Sequence, residues 1–332
     1  MNISDIKNIF SNFNKKNVII IGDSMLDAYM WGKIEKMSPE APVPVVEISK
    51  HEIRLGGAAN VAKNIKSLGA NVRLCSMIGN DINGKKLKEL LRKEGIDTTT
   101  ILSSNNRKTT VKTRIIAKEK HQLRVDEEDT FYITEEQVFL NMVLDIISSK
   151  IDIILLQDYN KGILTKKIIT EVIRFAKHKG ISVIVDPKKE NFLEYKGCDI
   201  FKPNLKELEE GIQKKVNVDN MANIQESTCY LRQKLEAKSI LLTLSSKGLC
   251  INSEKGFFYS PTHGGDVVDV SGAGDTVISI ASLLYSFNVN YKDISIISSI
   301  AGGLVCQTVG VATINKEKLL NEIIKVYTKN NI

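Results

Sequence analysis

The sequence predicts an α/β fold: a mainly parallel central sheet covered by helices, with a small β-sheet lid beside it. Three observations carry this. Apolar, β-branched runs of strand length recur and are nearly continuous, as strands buried on both faces should be. Segments of helical period stand between several of them. Two further stretches alternate in the manner of strands with no helix beside them.

In chain order the core strands are NVIIIGD from residue 17, VRLCSMIG from 72, DIILLQDY from 152, ISVIVDPK from 181 and SILLTLS from 239. The helical segments are 59–68, 84–93, 165–179 and 221–235. The two exceptions, APVPVVEISKHEIR (41–54) and KTTVKTRIIAKEKHQLRVDEED (108–129), read as an antiparallel lid, with strands at about 41–54 and 108–127. Such a sheet, exposed and apolar on one face, invites pairing with a second copy, so a homodimer through the lid is expected. There is no internal repeat, low-complexity tract or long linker, and the expectation is one domain over 1–332 with the lid inserted.

Composition narrows the function classes. The net charge is +7, but Lys and Arg are spread along the chain, where a nucleic-acid groove would gather them. Anionic small substrates remain compatible with that excess. The N-terminal residues hold no apolar core of signal-peptide length, and no run of about 18 apolar residues occurs, which points to a cytoplasmic protein without a membrane span. The five cysteines are widely separated, without a C-x-x-C pair, and read as free thiols, most of them buried. His51, His121, His178 and His263 are scattered with no zinc spacing.

The chemistry concentrates in DVSGAGDT (269–276), two carboxylates around a small-residue turn ahead of an apolar helix. Gly272, Ala273 and Gly274 form a helix entrance whose N–H groups and dipole suit an anionic oxygen. Asp275 at its mouth suits a general base that takes a hydroxyl proton while those N–H groups hold charge on a transferred phosphoryl group; on these eight residues alone, a helix cap is an equal reading. After the first strand, GDSMLD (22–27) and GGAAN (56–60) place Asp27, Gly56, Gly57 and Asn60 at the C-terminal edge of the sheet, where a polyol can bind. In PNLKE (203–207), Asn204 and Glu207 share one helix face and read either as oxygen ligands of a hydrated Mg²⁺ or as a capping box. GNDINGKK (79–86) only imitates a phosphate loop, because Lys86 stands where the metal-binding hydroxyl belongs.

GGAAN, DPK (186–188), PNLKE and DVSGAGDT, in this order, resemble the ribokinase-like PfkB family of carbohydrate kinases over nearly the whole chain. MSPEAPVPV (37–45), the stretch 55–72 and QDYNKGIL (157–164) are similar to the kinases of D-glycero-β-D-manno-heptose 7-phosphate within it. The resemblance implies a ribokinase-like three-layer fold and ATP-dependent phosphorylation of the anomeric hydroxyl of that sugar, giving the 1,7-bisphosphate for lipopolysaccharide precursors. It implies Asp275 as base, with the N–H groups of Gly272, Ala273 and Gly274 as anion hole, and Asp27, Gly56, Gly57 and Asn60 on the sugar hydroxyls.

The resemblance further implies Asn204 and Glu207 placing Mg²⁺ and the nucleotide phosphates, through water or phosphate. Thr243, Ser245 and Gly248 in TLSSKG, together with Lys188, are implied on the ATP side, and Asp269 with Ser271 at a site where several members bind a monovalent cation such as K⁺. A phosphorylated substrate also needs a cationic clamp, for which Arg54, Lys112, Arg114, Arg124 and Lys161 are the candidates, two or three of them in contact with phosphate. The chain departs from the pattern at Leu55, often Pro in relatives, at Ser271, often Thr, and at Ser245, often Gly. It also ends without the H-x-G-H adenylylating domain of many heptose kinases, so the expectation is a kinase domain alone. The competing readings are a kinase of fructose 1-phosphate or ribose type and a catalytically silent sugar or nucleotide sensor.

Overall fold

The structure is a computed structural model and describes residues 1–118, 120–263 and 267–330; residue 119, inside the second expected lid stretch, lies outside them. The strands are β1 Asn17–Gly22, β2 Ser24–Met37, β3 Pro44–Gly57, β4 Asn71–Gly79, β5 Ile101–Ser104, β6 Thr110–Ala117, β7 Lys120–Glu127, β8 Ile153–Gln157, β9 Ser182–Asp186, β10 Ile200–Phe201, β11 Ser239–Thr243, β12 Leu249–Ser253 and β13 Gly256–Ser260. Nine of them form the central sheet in the order β13-β12-β11-β10-β9-β8-β1-β4-β5, parallel except for the β11-β12-β13 edge.

The continuous apolar runs are explained by burial on both faces. Along β1, Val18 and Ile20 join one core with the helices Ala58–Ser67, Ala273–Ser286 and Tyr291–Val305, while Ile19 and Ile21 join a second core with Glu136–Ile147, Lys166–Lys179 and Met221–Leu235. Ile153 and Leu155 against Ile154 and Leu156 repeat this alternation in β8. The result is helix layer, sheet, helix layer. Among the described residues no helix is long and apolar enough to cross a membrane. All five cysteines are free, and burial pushes the Cys75 thiol up to about 12.

The order of strands matters for function. From β1 the chain runs one way through β4 and β5, then returns to β8 on the other side and proceeds away through β9 to β11. The crevice outside the ends of β1 and β8 is therefore the topological switch point, where open α/β sheets bind ligands.

The lid is a four-stranded sheet, β3-β2-β6-β7. It differs from the sequence expectation in two ways: β2, which is not among the expected lid strands, is its longest-paired member, and β2 runs parallel to β6, so the sheet is mixed and not antiparallel. The polar residues of β2 hid it, because the lid has only one covered face and its tip stands in solvent. The phosphate-loop look-alike is closed by a carboxylate: Asp81 caps the helix Ile82–Lys93, accepting from the Gly84 N–H at 2.6 Å.

Candidate active site

The helix Ala273–Ser286 starts from Gly272, whose φ of +80° is the left-handed region that favours glycine. The helix has no side-chain cap, so Asp275, at its third position, is free for other work. Its Oδ2 accepts from Asn60 Nδ2 at 2.7 Å, and its Oδ1 accepts from the Tyr159 hydroxyl at 2.8 Å and Gln157 Nε2 at 3.3 Å. Asn64 donates to Asn60 Oδ1 at 3.3 Å, which turns the Asn60 amide nitrogen toward the carboxylate. Burial pushes the Asp275 carboxyl up to about 6; neighbouring Asp186 adds to this, while Asn60, Tyr159 and Lys202 oppose it. A carboxyl titrating there suits a general base at neutral pH.

At the helix entrance, Ala273 donates its N–H to Val270 O at 3.2 Å. That leaves the N–H groups of Gly272 and Gly274, among the described residues, to receive an anionic oxygen. The buried ammonium of Lys202, 3.0 Å from Asp186 Oδ2, stands beside them, 3.4 Å from where a Cβ on Gly274 would be.

A cavity of about 100 Å³ opens from Asp275 and Gly272 toward the lid, lined also by Asp27, Gly57, Tyr159, Lys112, Arg114 and Ser271. Directly opposed residues share a face of a sheet, and the lid register aligns Arg54, Asp27, Lys112 and Asp126 in one row, then Glu52, Tyr29, Arg114 and Arg124 two positions on. All the charged candidates of the lid thus lie on one face, the one that carries Asp27 and Tyr29. Arg114 donates to Asp27 Oδ1, and burial raises the Asp27 pKa in spite of that guanidinium. Gly56 lets this carboxylate approach the backbone, because a Cβ there would stand 2.3 Å from Asp27 Oδ2.

The remaining cations are distributed differently. Lys112 pairs with Asp126 and Glu128, each at 3.1 Å, and Lys161 pairs with Glu128 at 2.8 Å. Arg54 donates to the carbonyls of Val309 and Val311 and so holds a turn. Arg124, on the same face, is paired with Asp126, 56% exposed, and not among the residues that line the cavity.

Asn204 and Glu207 form a reciprocal capping box on the helix Leu205–Ile212, and Glu207 also pairs with Lys188. Lys188 Nζ lies 5.4 Å from the Tyr159 ring centre, joining this cluster to the base. Thr243 bridges to Asn204, with Ser245 and Gly248 in the turn that follows. Among the described residues no three His, Cys, Asp or Glu side chains converge to hold a metal. Asp269 is occupied by the N–H groups of Ser271 at 2.9 Å and Gly310 at 2.8 Å, which outweigh burial and keep it below the usual carboxylate range.

A family model of pfkB carbohydrate kinases matches residues 15–318. The chain belongs to this family. It is 35% identical over 327 residues to the bifunctional protein HldE of Geotalea uraniireducens, covering 97% of this chain and 66% of that protein. To the HldE of Aliarcobacter butzleri it is 36% identical over 308 residues, covering 92% and 64%. The chain thus spans just under two thirds of the length of these relatives. Of solved structures, Escherichia coli phosphofructokinase-2 in complex with potassium superposes with a TM-score of 0.79 at 17% identity, over 96% of this chain and 99% of that one. Arabidopsis thaliana ribokinase complexed with ribose and ATP gives 0.73 at 18%, over 93% and 98%. At such identities the likeness is one of fold.

Four residues of this PfkB kinase's candidate site were missed in the sequence: Asp23, Gln157, Tyr159 and Lys202. Asp23 is fully buried and accepts the N–H groups of Tyr159 at 2.8 Å, Lys161 at 3.0 Å and Ile163 at 3.2 Å, fixing the loop that carries Tyr159 to Asp275. The available signal was positional: Gln157 ends β8 and Asp23 directly follows β1, its parallel neighbour, at the switch point.

Proposed function

We propose that this PfkB kinase transfers the γ-phosphoryl group of ATP to the anomeric hydroxyl of D-glycero-β-D-manno-heptose 7-phosphate, forming the 1,7-bisphosphate used in lipopolysaccharide heptose synthesis. The observation that carries the reading is a single cavity lined both by Asp275 and Gly272 of the helix entrance and by Lys112 and Arg114 of the lid. Such a lining suits a ligand that offers a hydroxyl to Asp275 and an anionic group to the lid cations. Sequence likeness to the HldE proteins supports the same choice.

In this mechanism Asp275 takes the proton of the anomeric hydroxyl, with Tyr159, Gln157 and Asn60 holding its carboxylate in line. The N–H groups of Gly272 and Gly274, with Lys202 beside them, receive the charge on the transferred phosphoryl group. Asp27 Oδ2, left open by Arg114, accepts from a sugar hydroxyl.

Mg²⁺ with the nucleotide supplies neutralising charge on the phosphates. Glu207 fits it only through water, since both of its oxygens already serve Lys188 and the Asn204 N–H, and hydrated Mg²⁺ asks for no protein cage. Asp269 and Ser271 serve as a loop clasp.

The test is ADP release with Mg·ATP against heptose 7-phosphate, fructose 1-phosphate, fructose 6-phosphate and ribose, with the product read by ³¹P NMR. Selective turnover of the heptose with new phosphate at C1 is expected; turnover of another sugar overturns the substrate assignment, and no turnover at all favours a sensor. The outer face of the lid exposes Ile53, Leu123 and Val125, at 39%, 57% and 44%. A second copy covers it in this proposal, so sedimentation should give twice the 37.0 kDa chain mass, and a monomer at micromolar concentration would refute the dimer.

A further inference from the structure

We infer that Glu128 is a displaceable counter-anion: it occupies the subsite for the second, non-reacting phosphate of the substrate and yields it only to a competing dianion. The inference rests on the proposed kinase reading and adds to it the residue that controls which sugars enter.

Glu128 follows β7 and bridges two ammonium groups that come from distant parts of the chain. Its Oε2 lies 3.1 Å from Lys112 Nζ on β6, and its Oε1 lies 2.8 Å from Lys161 Nζ in the loop after β8. One carboxylate therefore draws together two cations in the manner of a phosphate. Burial opposes its ionisation, but Lys161 and Lys112 outweigh that and hold its pKa below the usual carboxylate range.

Both lysine side chains are nearly covered, at 10% and 15% exposure, so neither is simply solvated. Lys112 lines the same cavity as Asp275. That cavity, about 100 Å³, is smaller than the roughly 300–1,000 Å³ of small-molecule sites, and moving the Glu128 bridge off Lys112 would enlarge it on the lid side.

Charge decides which group moves. Arg114 is held by Asp27, while Asp126 divides one negative charge between Lys112 and Arg124. Glu128 is, among the described residues, the one carboxylate paired with Lys161, and it spreads one negative charge over Lys161 and Lys112 where a phosphate monoester brings nearly two. A phosphorylated sugar exchanges with it at little electrostatic cost. An unphosphorylated sugar has nothing to offer the lysines and leaves the bridge in place.

The experiment is calorimetric titration of the full chain with inorganic phosphate, saturated with ADP to block the nucleotide site, at fixed ionic strength. Glu128→Gln should bind phosphate roughly tenfold more tightly than the parent, the size of one charge-assisted contact removed from competition. The gain should vanish when Lys161→Met is added, and Glu128→Asp should fall between Gln and the parent. Phosphate affinity that is unchanged or weakened in Glu128→Gln, with a normal thermal midpoint, overturns the inference, because the carboxylate then orders the lysines and does not compete for them. A gain that persists in the Lys161→Met background overturns it as well. Because the probe contains no sugar, this outcome is independent of whether heptose 7-phosphate is turned over.

Discussion

Asp275→Asn should lower kcat by roughly 10² to 10⁴, the usual worth of a positioned general base, while sugar binding persists. The amide keeps the size of the side chain and can still accept from Tyr159 and Gln157, but it cannot take a proton. The pH dependence sharpens this. Burial raises the Asp275 carboxyl from 3.8 to about 6, so the parent enzyme should lose activity as the pH falls below about 6, and that acid limb should disappear in the residual activity of the variant.

Stability should move the other way. A carboxyl whose pKa is raised by folding contributes stability that is present below about 4 and is lost as the pH rises through about 6. Removing the ionisable group should therefore leave the thermal midpoint at pH 8 equal to or above that of the parent, with the difference closing near pH 4. Retained turnover would remove Asp275 from its role as base. A midpoint lowered at pH 8 would mean that its hydrogen bonds outweigh the buried charge.

Arg114→Ala should be the most destabilising change in the lid. Asp27 is 4% exposed, and its raised pKa shows that burial already exceeds what Arg114 returns. Taking the guanidinium away strands the carboxylate, a loss on the order of 3 kcal/mol for a broken buried pair. Arg114 also stands 5.4 Å from the Tyr29 ring centre, so some packing goes with it.

Because the Asp27 pKa rises further in the variant, the loss should be larger at pH 8 than at pH 5, where protonation relieves the stranded charge. Urea denaturation at the two pH values measures this, and Asp27→Asn in the same chain should recover much of the stability. An equal loss at both pH values would locate the effect in packing against Tyr29 instead.

Much of the fold was legible in the sequence because a strand buried on both faces has to be apolar at every position. β1, β8 and β9 meet that condition except at their ends, at Asn17, Gln157, Ser182 and Asp186, and their runs stand out from the surface segments around them. β2 does not meet it. It leaves the core after a few residues, continues as a lid strand with one covered face, and carries Asp27, Lys33 and Glu35 in the same run.

The site shows the same division. DVSGAGDT and PNLKE each offered a capping reading and a ligand reading. The structure shows capping at Asn204 and Glu207 and none by Asp275, because Gly272 starts its helix and Asn60, Tyr159 and Gln157 claim its carboxylate. No local pattern separates the two cases, since what differs is whether partners more than a hundred residues away point into the same place.

By itself the sequence determined the layered α/β core, the helix entrance at Gly272 and the family resemblance, all of which depend on local chemistry or on motif order. Only the tertiary structure decided that Tyr159 reaches Asp275, that Asp23 fixes the loop carrying it, and that Glu128 joins Lys112 to Lys161. The physical reason is register and crossover: a one-residue slip of β6 or β7 would turn every charge on that strand to the opposite face, and nothing in a linear pattern of alternating charged and apolar residues says which face meets the core.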